Sequence, residues 1–449
     1  MNKGRSKKPA TKLPMANIEL DVTGLTHEGK GVARLNGKTV FVNGALPGEV
    51  VQAQITKQKA RYEEADLREI IQASEQRVNP ECEYYGLCGG CSMQHLQPDS
   101  QIEYKQQHLL SVLERIASRK PETILNPVTG PVWNYRRKAR LATYYDRKKK
   151  TLVTGFRQAQ SKSVVAIEHC RILSEPFNHL LGSVSDAING LENKAYVSHI
   201  DLIQADNANA ILIRHVNNFS ESDIEQLQEY ANQKQLRIYL QGNEKNALDC
   251  ITCEPYENTL QINVHGLGLK FLPDDFIQVN RDVNEKMLNQ AIELLNLTAE
   301  DELLELFCGM GNFSLPIAKQ VRKLAGVEVD ASMVEQAKSN AQLNNINNAT
   351  FFQFNLIENL NHCSWLKEYQ FNKVLLDPPR SGALEQMLLL NKLLPEKILY
   401  ISCDPATLAR DIALINNKYS VKYAGVINMF PHTSHVESMV LLEKTYAGK

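Results

Sequence analysis

Residues 303–313 read Leu-Leu-Glu-Leu-Phe-Cys-Gly-Met-Gly-Asn-Phe, and this stretch decides the fold class of the chain. A short apolar run leads into a Gly-x-Gly turn, which is typical of a buried strand that ends at a tight turn before a helix. Further apolar runs of strand length follow at 323–329, 350–354, 373–376 and 398–402, with helical patterns between some of them at 331–343 and 405–414. This alternation predicts a parallel, doubly wound α/β sheet.

We expect a ligand site at one edge of this sheet, because doubly wound folds bind ligands at the carboxyl ends of their strands. Glu328 ends the second apolar run, where an acidic residue suits a ribose diol, and Asp377 follows a later run just before two prolines. The third glycine of the dinucleotide fingerprint is missing, and a Gly-x-Gly turn alone is weak evidence. Strand, turn, helix and Glu328 together favour a nucleoside cofactor over a plain tight turn.

Cys403 and Glu437 are the candidate reactive residues. Cys403 follows the last apolar run and precedes a predicted helix, whose N-terminus is expected to lower the thiol pKa and favour the thiolate. Glu437 closes a stretch with two histidines and is a candidate general base. The alternatives are a buried structural cysteine and a solvated surface loop.

This pair suits methylation of a pyrimidine carbon. C5 of uracil is a poor nucleophile, but a thiolate that adds to C6 makes the ring an enolate, whose C5 can take a methyl group from a sulfonium cofactor. A base must then remove the C5 proton before the thiolate is eliminated. Methyl transfer to nitrogen or oxygen needs no such cysteine, and an RNA base would have to leave its stack to react.

The first part of the chain has a different pattern. Short strands and close turns between 15 and 70 predict a small barrel, and 101–117 has helical spacing. From about 130 to 270 strands dominate, and the clearest helix is predicted over 220–233. The basic start, residues 1–12, suits a disordered tail, an arm that touches phosphates, or both.

Composition sets limits on the class of protein. The chain has 449 residues, 43% hydrophobic and 22% charged, with a net charge of −1, so composition alone does not indicate RNA binding. Two basic clusters, at 136–140 and 147–150, suit either solvated faces or an RNA contact. No secretory signal or membrane-length apolar run is visible, and we expect a cytoplasmic protein.

Nine cysteines in such a chain favour metal binding or catalysis over disulfides. Cys82, Cys88 and Cys91 lie in one loop, and Cys170 follows much later. Four thiolates suit zinc or a [4Fe–4S] cluster, and three clustered ligands with one distant ligand favour the cluster. The pair Cys250 and Cys253 is interpreted as structural.

The chain resembles the bacterial 23S rRNA uracil-5-methyltransferases that carry a TRAM domain and an iron–sulfur cluster. The resemblance runs from about residue 15 to the end and rests on LFCGMGNFSLPIA at 306–318, LLDPPRSG at 375–382, SCDPATLARD at 402–411 and FPHTSHVESMVLL at 430–442. It implies a multidomain α/β protein, with an N-terminal OB-like TRAM β-barrel, a central α+β iron–sulfur domain and a C-terminal Rossmann-like class I methyltransferase domain.

The resemblance also implies residue roles. Cys403 matches the nucleophile and Glu437 the base; Asp404 stands where the family usually has Asn, and its charge would raise the pKa of Cys403 if unpaired. Arg137 lies in a basic motif that the family has near its active site. The positions that match S-adenosyl-L-methionine contacts are Gln278, Phe307, Asn312, Glu328, Asn355 and Asp377. The positions that match ligands of one [4Fe–4S] cluster are Cys82, Cys88, Cys91 and Cys170.

The implied domain plan is a tail at 1–14, the barrel at 15–73, the central domain at 74–98 and 125–268, and the methyltransferase domain at 99–124 and 269–449. The expected partner is 23S rRNA, with no membrane or protein partner and a monomeric chain. Two alternatives stay open. One is the same reaction at another 23S rRNA site or on tRNA, and the other is an inactive iron–sulfur protein that binds RNA or senses redox state. Radical chemistry is a minor third reading, since its tighter CxxxCxxC loop is absent.

Overall fold

A closed barrel of five strands begins the part of the chain that the computed structural model describes, which comprises residues 17–242, 248–254, 259–358, 360, 363–415 and 417–445. Strands β1 to β5 are Asn17–Leu25, Gly31–Leu35, Lys38–Asn43, Val50–Gln58 and Tyr62–Gln72. Their order around the barrel is β1-β2-β3-β5-β4. Alternate side chains such as Leu20 and Val22 point inward and are buried. The small barrel predicted from the sequence is confirmed; the basic tail lies outside the described residues.

The chain divides into two compact units, Met1–Glu81 with Ser92–Tyr104, and Cys82–Cys91 with Lys105–Lys449. In the first unit, the fully buried carboxylate of Glu49 holds the barrel to the segment that follows it. Its oxygens accept hydrogen bonds from Arg77 at 2.5 and 2.9 Å and from the amide of Leu46 at 2.8 Å. Burial alone would raise the pKa of Glu49, but these hydrogen bonds and the arginine charge outweigh it and lower that pKa.

The second unit contains two large sheets. Helix α1, Pro98–Val112, begins in the first unit and continues into the second, and a π-helical turn, Leu113–Ala117, and the short strand β6, Thr123–Ile124, follow it. The predicted helix over 101–117 is therefore present, with a change of helix type in its last turn. The π-helical turn packs against the last helix of the chain, and the ammonium group of Lys105 binds the side-chain oxygen of Asn428 and the carbonyl oxygen of Phe430, each at 3.1 Å.

A seven-stranded sheet forms the middle of the chain. Its strands β7 to β13 are Lys138–Asp146, Thr151–Arg157, Val164–Ala166, Val197–Gln204, Asn209–His215, Leu236–Gln241 and Leu248–Cys250. Their order is β13-β12-β11-β10-β7-β8-β9. Helices α2, Phe177–Gly190, and α3, Glu221–Lys234, pack against it, with a 3₁₀ turn at Lys194–Tyr196.

Helix α3 matches the predicted helix over 220–233. Its first turn is capped by the side chain of Ser220, which accepts the amide hydrogen of Asp223 at 3.2 Å. A two-stranded ribbon follows the sheet, formed by β14, Leu260–Val264, and β15, Leu267–Phe271. Cys250 and Cys253, interpreted as structural, are joined as a disulfide at the end of β13.

The C-terminal sheet has eight strands, β6 and seven more. Strands β16 to β22 are Glu302–Leu306, Lys323–Glu328, Ala349–Gln353, Lys373–Leu376, Lys397–Ser402, Tyr419–Ile427 and Glu437–Lys444. Helices α4 to α8 are Arg281–Leu295, Ser314–Ala318, Ala331–Leu343, Leu384–Leu393 and Pro405–Ala413, with a 3₁₀ turn at Ser364–Glu368.

The strand order β18-β17-β16-β19-β20-β22-β21-β6 confirms the doubly wound sheet. The strands from β18 to β20 are parallel, and β16 and β19 are buried along their whole length, because helices cover both faces. The order reverses between β16 and β19, and a crevice is expected at that edge. The sequence did not predict that β22 runs antiparallel to β20 or that β6 joins beside β21. None of the described helices is long and apolar enough to span a membrane.

Candidate active site

A cavity of about 1120 Å³ opens at the carboxyl ends of β16, β17, β19 and β20. Its lining includes every residue that the sequence singled out as cofactor-binding or reactive. These are Gln278, Phe307, Asn312, Glu328, Asn355, Asp377, Cys403 and Glu437. Residues separated by up to 159 positions in the sequence thus face one space. Six of them end or follow parallel strands, whose carboxyl ends meet at one edge of the sheet, whereas Glu437 begins the antiparallel β22 and Gln278 lies just before α4.

The turn after β16 shapes one wall of the cavity. Gly309 and Gly311 have positive φ angles of 52° and 100°, and a Cβ atom on Gly311 would lie 2.9 Å from the Leu315 side chain. Glycine is therefore required at that position. The carboxylate of Glu328 accepts the amide hydrogens of Gly309 at 3.1 Å and Val329 at 2.7 Å, which fixes it at the end of β17.

Amide side chains hold other parts of the wall. Asn312 and Asn284 form a reciprocal pair of side-chain hydrogen bonds at 3.0 and 3.1 Å. Asn355 donates to the Glu358 carboxylate at 3.1 Å. The carbonyl oxygen of Gln278 accepts a hydrogen bond at 2.9 Å from Nε of Arg137, a residue that is itself outside this cavity. These contacts set the positions of the lining residues before any ligand binds.

Cys403 lies between the end of β20 and the start of α8. The neighbouring Asp404 is the N-cap of α8, and its carboxylate accepts the amide hydrogens of Ala406 at 2.9 Å and Thr407 at 3.1 Å. The negative charge that the sequence places beside Cys403 is thus paired with a helix N-terminus. This carboxylate has a local structural role, which explains why an acidic residue is tolerated here.

The pKa of Cys403 differs from the sequence-based expectation. It is raised to about 11, chiefly by burial and then by the carboxyl groups of Glu437 and Asp377, against the lowering effect of Arg380. The prediction that the helix N-terminus would lower this pKa is therefore wrong for the ligand-free chain. Loss of water and two nearby acids outweigh the partial charge of one helix end.

Glu437 and Asp377 form a pair of acids in the same cavity. Burial raises the pKa of Asp377 to about 7 and raises the pKa of Glu437 well above its ordinary value. Asp377 raises the pKa of Glu437 further, whereas the Arg380 guanidinium lowers it. A carboxylate with a raised pKa is a stronger base, which is the property that removal of a carbon-bound proton requires.

Several lining residues were not singled out from the sequence. Arg380 donates from Nη2 to Nδ1 of His435 at 3.1 Å, and both line the cavity. The ring of Phe276 is 68% exposed at the cavity wall, and the guanidinium of Arg136 lies 5.9 Å from the ring centre of Phe430. Arg380 follows Asp377 by three residues, so its motif offered a signal that could have found it.

The cysteine loop lies apart from this cavity. The pKa of Cys170 is raised to about 11, chiefly by burial and in part by the thiols of Cys88 and Cys82, so these three side chains are close enough to interact. The amide of Gly90 donates to Sγ of Cys88 at 3.4 Å. Across the described ranges, no three His, Cys, Asp or Glu side chains are grouped tightly enough to hold a single metal ion.

The two basic clusters have different surroundings. Residues 147–150 are exposed at the turn between β7 and β8, as a solvated face would be. In the first cluster, Arg137 is buried, Lys138 donates to the carbonyl oxygen of Pro273 at 2.8 Å, and Arg140 pairs with Asp201 at 2.5 Å. That cluster is largely part of the folded framework.

Comparison with known proteins agrees with this geometry. A family model described as "tRNA (Uracil-5-)-methyltransferase" matches residues 97–445, and a "TRAM domain" model matches residues 15–67. The chain also shares its fold with the Pyrococcus abyssi tRNA (uracil-54, C5)-methyltransferase in complex with S-adenosyl-L-homocysteine. The TM-score is 0.71 at 21% identity, over 95% of this chain and 100% of the other. The fold and the site define an S-adenosylmethionine-dependent RNA methyltransferase that acts on C5 of uracil.

The names of curated relatives also state the RNA that those enzymes methylate and the position of the uracil. The 23S rRNA (uracil(1939)-C(5))-methyltransferase RlmD of Legionella pneumophila (strain Lens) is 40% identical over 443 residues, covering 98% of this chain and 100% of the relative. The enzyme of that name from Francisella tularensis subsp. novicida (strain U112) is 40% identical over 449 residues, with the same coverage. The chain belongs to the RlmD family of 23S rRNA (uracil-C5)-methyltransferases, and the resemblance seen in the sequence is confirmed.

Proposed function

We propose that this enzyme methylates C5 of uridine 1939 in 23S rRNA, the position that the names of its relatives specify. The observation that carries the proposal is the single cavity that contains Cys403, Glu437 and the turn after β16. A nucleophile, a base and a nucleoside-type pocket in one space are the parts that carbon methylation of a pyrimidine requires.

The cofactor end of the cavity lies at the switch point of the sheet. Glu328 supplies a carboxylate for a ribose diol, and Phe307 and Asn312 follow β16 at the same edge. Gln278 and Asn355 border the same space, and so does Asp377, which also acts electrostatically on Cys403. When bound, S-adenosylmethionine supplies a methyl group on a positively charged sulfur, and these six residues hold and orient it.

Cys403 begins the reaction as a thiolate. Its sulfur adds to C6 of the extruded uracil, and the electrons of the C5=C6 bond move toward O4 to give an enolate. Arg380 is the cationic side chain that favours the thiolate, since it lowers the pKa of Cys403.

Glu437 completes the reaction as the base. C5 bonds to the methyl carbon as the bond from that carbon to the cofactor sulfur breaks and its electron pair stays on that sulfur. The Glu437 carboxylate then takes the proton from C5, and the electrons of the C5–H bond restore C5=C6 as the Cys403 sulfur leaves C6 as a thiolate. Glu437 is buried, and its pKa is raised by loss of water and by Asp377. Its basicity is therefore matched to a weakly acidic carbon–hydrogen bond.

A separate [4Fe–4S] cluster is proposed for Cys82, Cys88, Cys91 and Cys170. Support comes from the four-thiol donor set, from the effect of Cys82 on the pKa of Cys88 and of both on the pKa of Cys170, and from the family resemblance. Zinc is the alternative. We assign the cluster to a central domain at 74–98 and 125–268, between the barrel at 15–73 and the methyltransferase segments at 99–124 and 269–449.

The barrel suits an RNA-binding role, since OB-like barrels bind single-stranded nucleic acid. An enzyme with ribosomal RNA as its substrate would work in the cytoplasm, and we propose a monomer. No membrane or protein partner is part of this proposal.

The test is covalent trapping with a 23S rRNA fragment that carries 5-fluorouridine at position 1939. Fluorine cannot leave as a cation, so Glu437 cannot finish the reaction and the RNA should stay bonded to Cys403. We expect an adduct that survives denaturing electrophoresis, forms only with S-adenosylmethionine and is absent from Cys403→Ala. The variant should bind the cofactor normally. An adduct in Cys403→Ala, or trapping on tRNA in place of this fragment, would contradict the proposal.

A further inference from the structure

A second cavity, of about 660 Å³, lies on the other side of the segment that carries Gln278 and shares no lining residue with the first. Its wall combines the start of β7, the end of β10, the ribbon β14–β15 and the beginning of α4. The lining is strongly polar. It comprises Asn134, Arg137, Ser174, Gln204, Asp206, Gln261, Asn263, Asn280, Arg281 and Asp282, with Pro131, Tyr135 and Ala205.

The deepest cation in this wall is only partly satisfied. Arg137 is 4% exposed, and its Nε is bonded to the carbonyl oxygen of Gln278. Both terminal amino groups, Nη1 and Nη2, are buried and have no hydrogen-bond partner within the described ranges. The pKa of this guanidinium is lowered to about 10, chiefly by burial. The charge of Asp206, which lines the cavity, opposes this shift and raises the pKa. A buried guanidinium whose N–H donors have no acceptor lowers the stability of the fold, unless a bound molecule supplies the missing hydrogen-bond acceptors.

Ser174 adds a second idle group to the same wall. It is 7% exposed, and among the described residues its hydroxyl has no hydrogen-bond partner. The backbone amide of Ser174 donates to the carbonyl oxygen of Arg136, which holds this residue beside Arg137. Two buried side chains therefore offer hydrogen bonds in one space.

The more exposed part of the wall carries acceptors. Asp206 accepts the amide hydrogen of Asn263 at 2.6 Å and pairs with Arg281 at 3.3 Å, with its side chain 31% exposed. Asp282, at the start of α4, is exposed. Two arginines and two aspartates make the lining electrically balanced, so it suits a neutral polar ligand better than a phosphate group.

We propose that this cavity binds an unpaired guanine base of the RNA substrate. Guanine presents two adjacent acceptors, O6 and N7, which match the two amino groups of one guanidinium, and its N1–H and N2–H donors match carboxylates. Adenine has a donor beside N7, and uracil lacks two adjacent acceptors. Cytosine has adjacent acceptors at N3 and O2, but it lacks the two adjacent donors, N1–H and N2–H, of guanine. Single-stranded RNA is read through such splayed bases. The inference rests on the proposed RNA substrate and adds a second point of recognition beside the methylated uridine.

The experiment is a calorimetric titration of the full-length chain with guanosine 5′-monophosphate, adenosine 5′-monophosphate and inorganic phosphate. S-adenosylhomocysteine is kept at saturation so that the cofactor end of the first cavity is closed to nucleotides. We expect the guanine nucleotide to bind roughly tenfold more tightly than the adenine nucleotide, and phosphate to bind more weakly than either. Equal affinity for the two nucleotides, or phosphate as the tightest ligand, would overturn the inference. Absence of binding by all three would leave the idle donors to ordered water and overturn it too.

Variants locate the site. Arg137→Lys keeps the charge but loses the two-pronged contact, so guanine affinity should fall roughly tenfold. Because Arg137 also holds the Gln278 segment, Ser174→Ala serves as a milder second variant, with an expected loss of a few-fold. Arg147→Gln, on the exposed turn between β7 and β8, is the matched control and should change nothing. Normal S-adenosylhomocysteine binding shows that each variant is folded.

The two proposals can fail separately. An enzyme that methylates 23S rRNA but binds no guanine nucleotide would refute only the second cavity's role. An enzyme that binds the guanine nucleotide through Arg137 and Ser174 but forms no RNA adduct at Cys403 would refute the proposed reaction. Retained guanine selectivity in both Arg137→Lys and Ser174→Ala would mean that the nucleotide binds elsewhere, and would overturn the inference.

Discussion

The Cys403 thiol and the Glu437 carboxyl group line the same cavity, and after burial it is the charge of Glu437 that raises the pKa of that thiol most. The ligand-free enzyme should therefore show slow alkylation of Cys403 by iodoacetamide at neutral pH, with a rate that rises toward a pKa of about 11. Glu437→Gln should move this rise to lower pH. Arg380→Gln should move it to higher pH, because Arg380 lowers the same pKa.

Peptide mass spectrometry separates Cys403 from the other cysteines in this experiment. Asp404→Asn is a useful control, because the Asp404 side chain is bonded to the N-terminus of α8. It should shift the profile less than Glu437→Gln does. Fast alkylation of the wild-type thiol at pH 7 would contradict the protonated state described here.

Glu437→Gln should stop the reaction after methyl transfer. The amide cannot accept the C5 proton, so the thiolate is not eliminated and methylated RNA stays attached to Cys403. Denaturing electrophoresis should show a stable protein–RNA band even when the RNA substrate contains no fluorouridine. The wild-type enzyme should not accumulate this band. Normal release of methylated RNA by this variant would show that another group takes the proton.

His435 should act through Arg380. Burial and the nearby cations Arg380, Lys105 and Arg136 lower the pKa of His435, so its ring stays neutral at pH 7 and Nδ1 can accept from Arg380. His435→Ala should reduce kcat roughly tenfold, the size expected for one hydrogen bond to a charged group. The KM for S-adenosylmethionine should change little. An equal rise in that KM would instead indicate a collapsed cofactor pocket.

The proposed cluster in the cysteine loop predicts the colour and the metal content of the purified protein. Protein purified without oxygen should be brown, contain iron and sulfide, and bleach in air. Cys170→Ser should remove the visible absorption, whereas Cys363→Ser, outside the loop, should leave it intact. A colourless preparation that contains zinc would contradict the cluster.

Glu49 should stabilise the barrel unit strongly. Glu49→Gln breaks the buried pair with Arg77 and should lower the free energy of unfolding by about 3–5 kcal/mol. The exposed pair of Glu64 and Lys57 provides the control, and Glu64→Gln should cost at most about 1 kcal/mol. Chemical denaturation followed by circular dichroism measures both, and equal losses would contradict the distinction.

The pH dependence of this contribution has a definite sign. The pKa of Glu49 is lower in the folded chain than in the unfolded chain, so its stabilisation is complete above the unfolded pKa. It is lost as the pH falls through the folded value. The difference in stability between the wild type and Glu49→Gln should therefore shrink in acid, and a constant difference would refute the assignment.

Much of the fold and the site could be predicted from local sequence signals. The strands of the C-terminal sheet are short apolar runs between turns, and seven of the eight predicted site residues meet in one cavity because they lie at or follow a strand end of this sheet. The eighth, Gln278, lies just before α4. Ser220 marked the start of α3 by its capping chemistry. Such features depend on periodicity and on turns, which are visible along the chain.

Other features depend on distant residues and could not be predicted. The pKa of Cys403 is set by burial and by Asp377 and Glu437, which approach it only in the folded chain. Arg137 sits in a run of basic residues that could equally have been a solvated face, yet it is buried because its partner, the Gln278 carbonyl oxygen, lies 141 positions later. The antiparallel placement of β22 also has no local signal.

The burial of Cys403 between two acids has a consequence for the lifetime of the enzyme. Peroxides attack thiolates and react slowly with protonated thiols, so an idle molecule at neutral pH resists oxidation to sulfenic acid. The Cys403 thiol of each enzyme molecule should therefore stay reduced during oxidative stress, in the time between one ribosomal RNA substrate and the next.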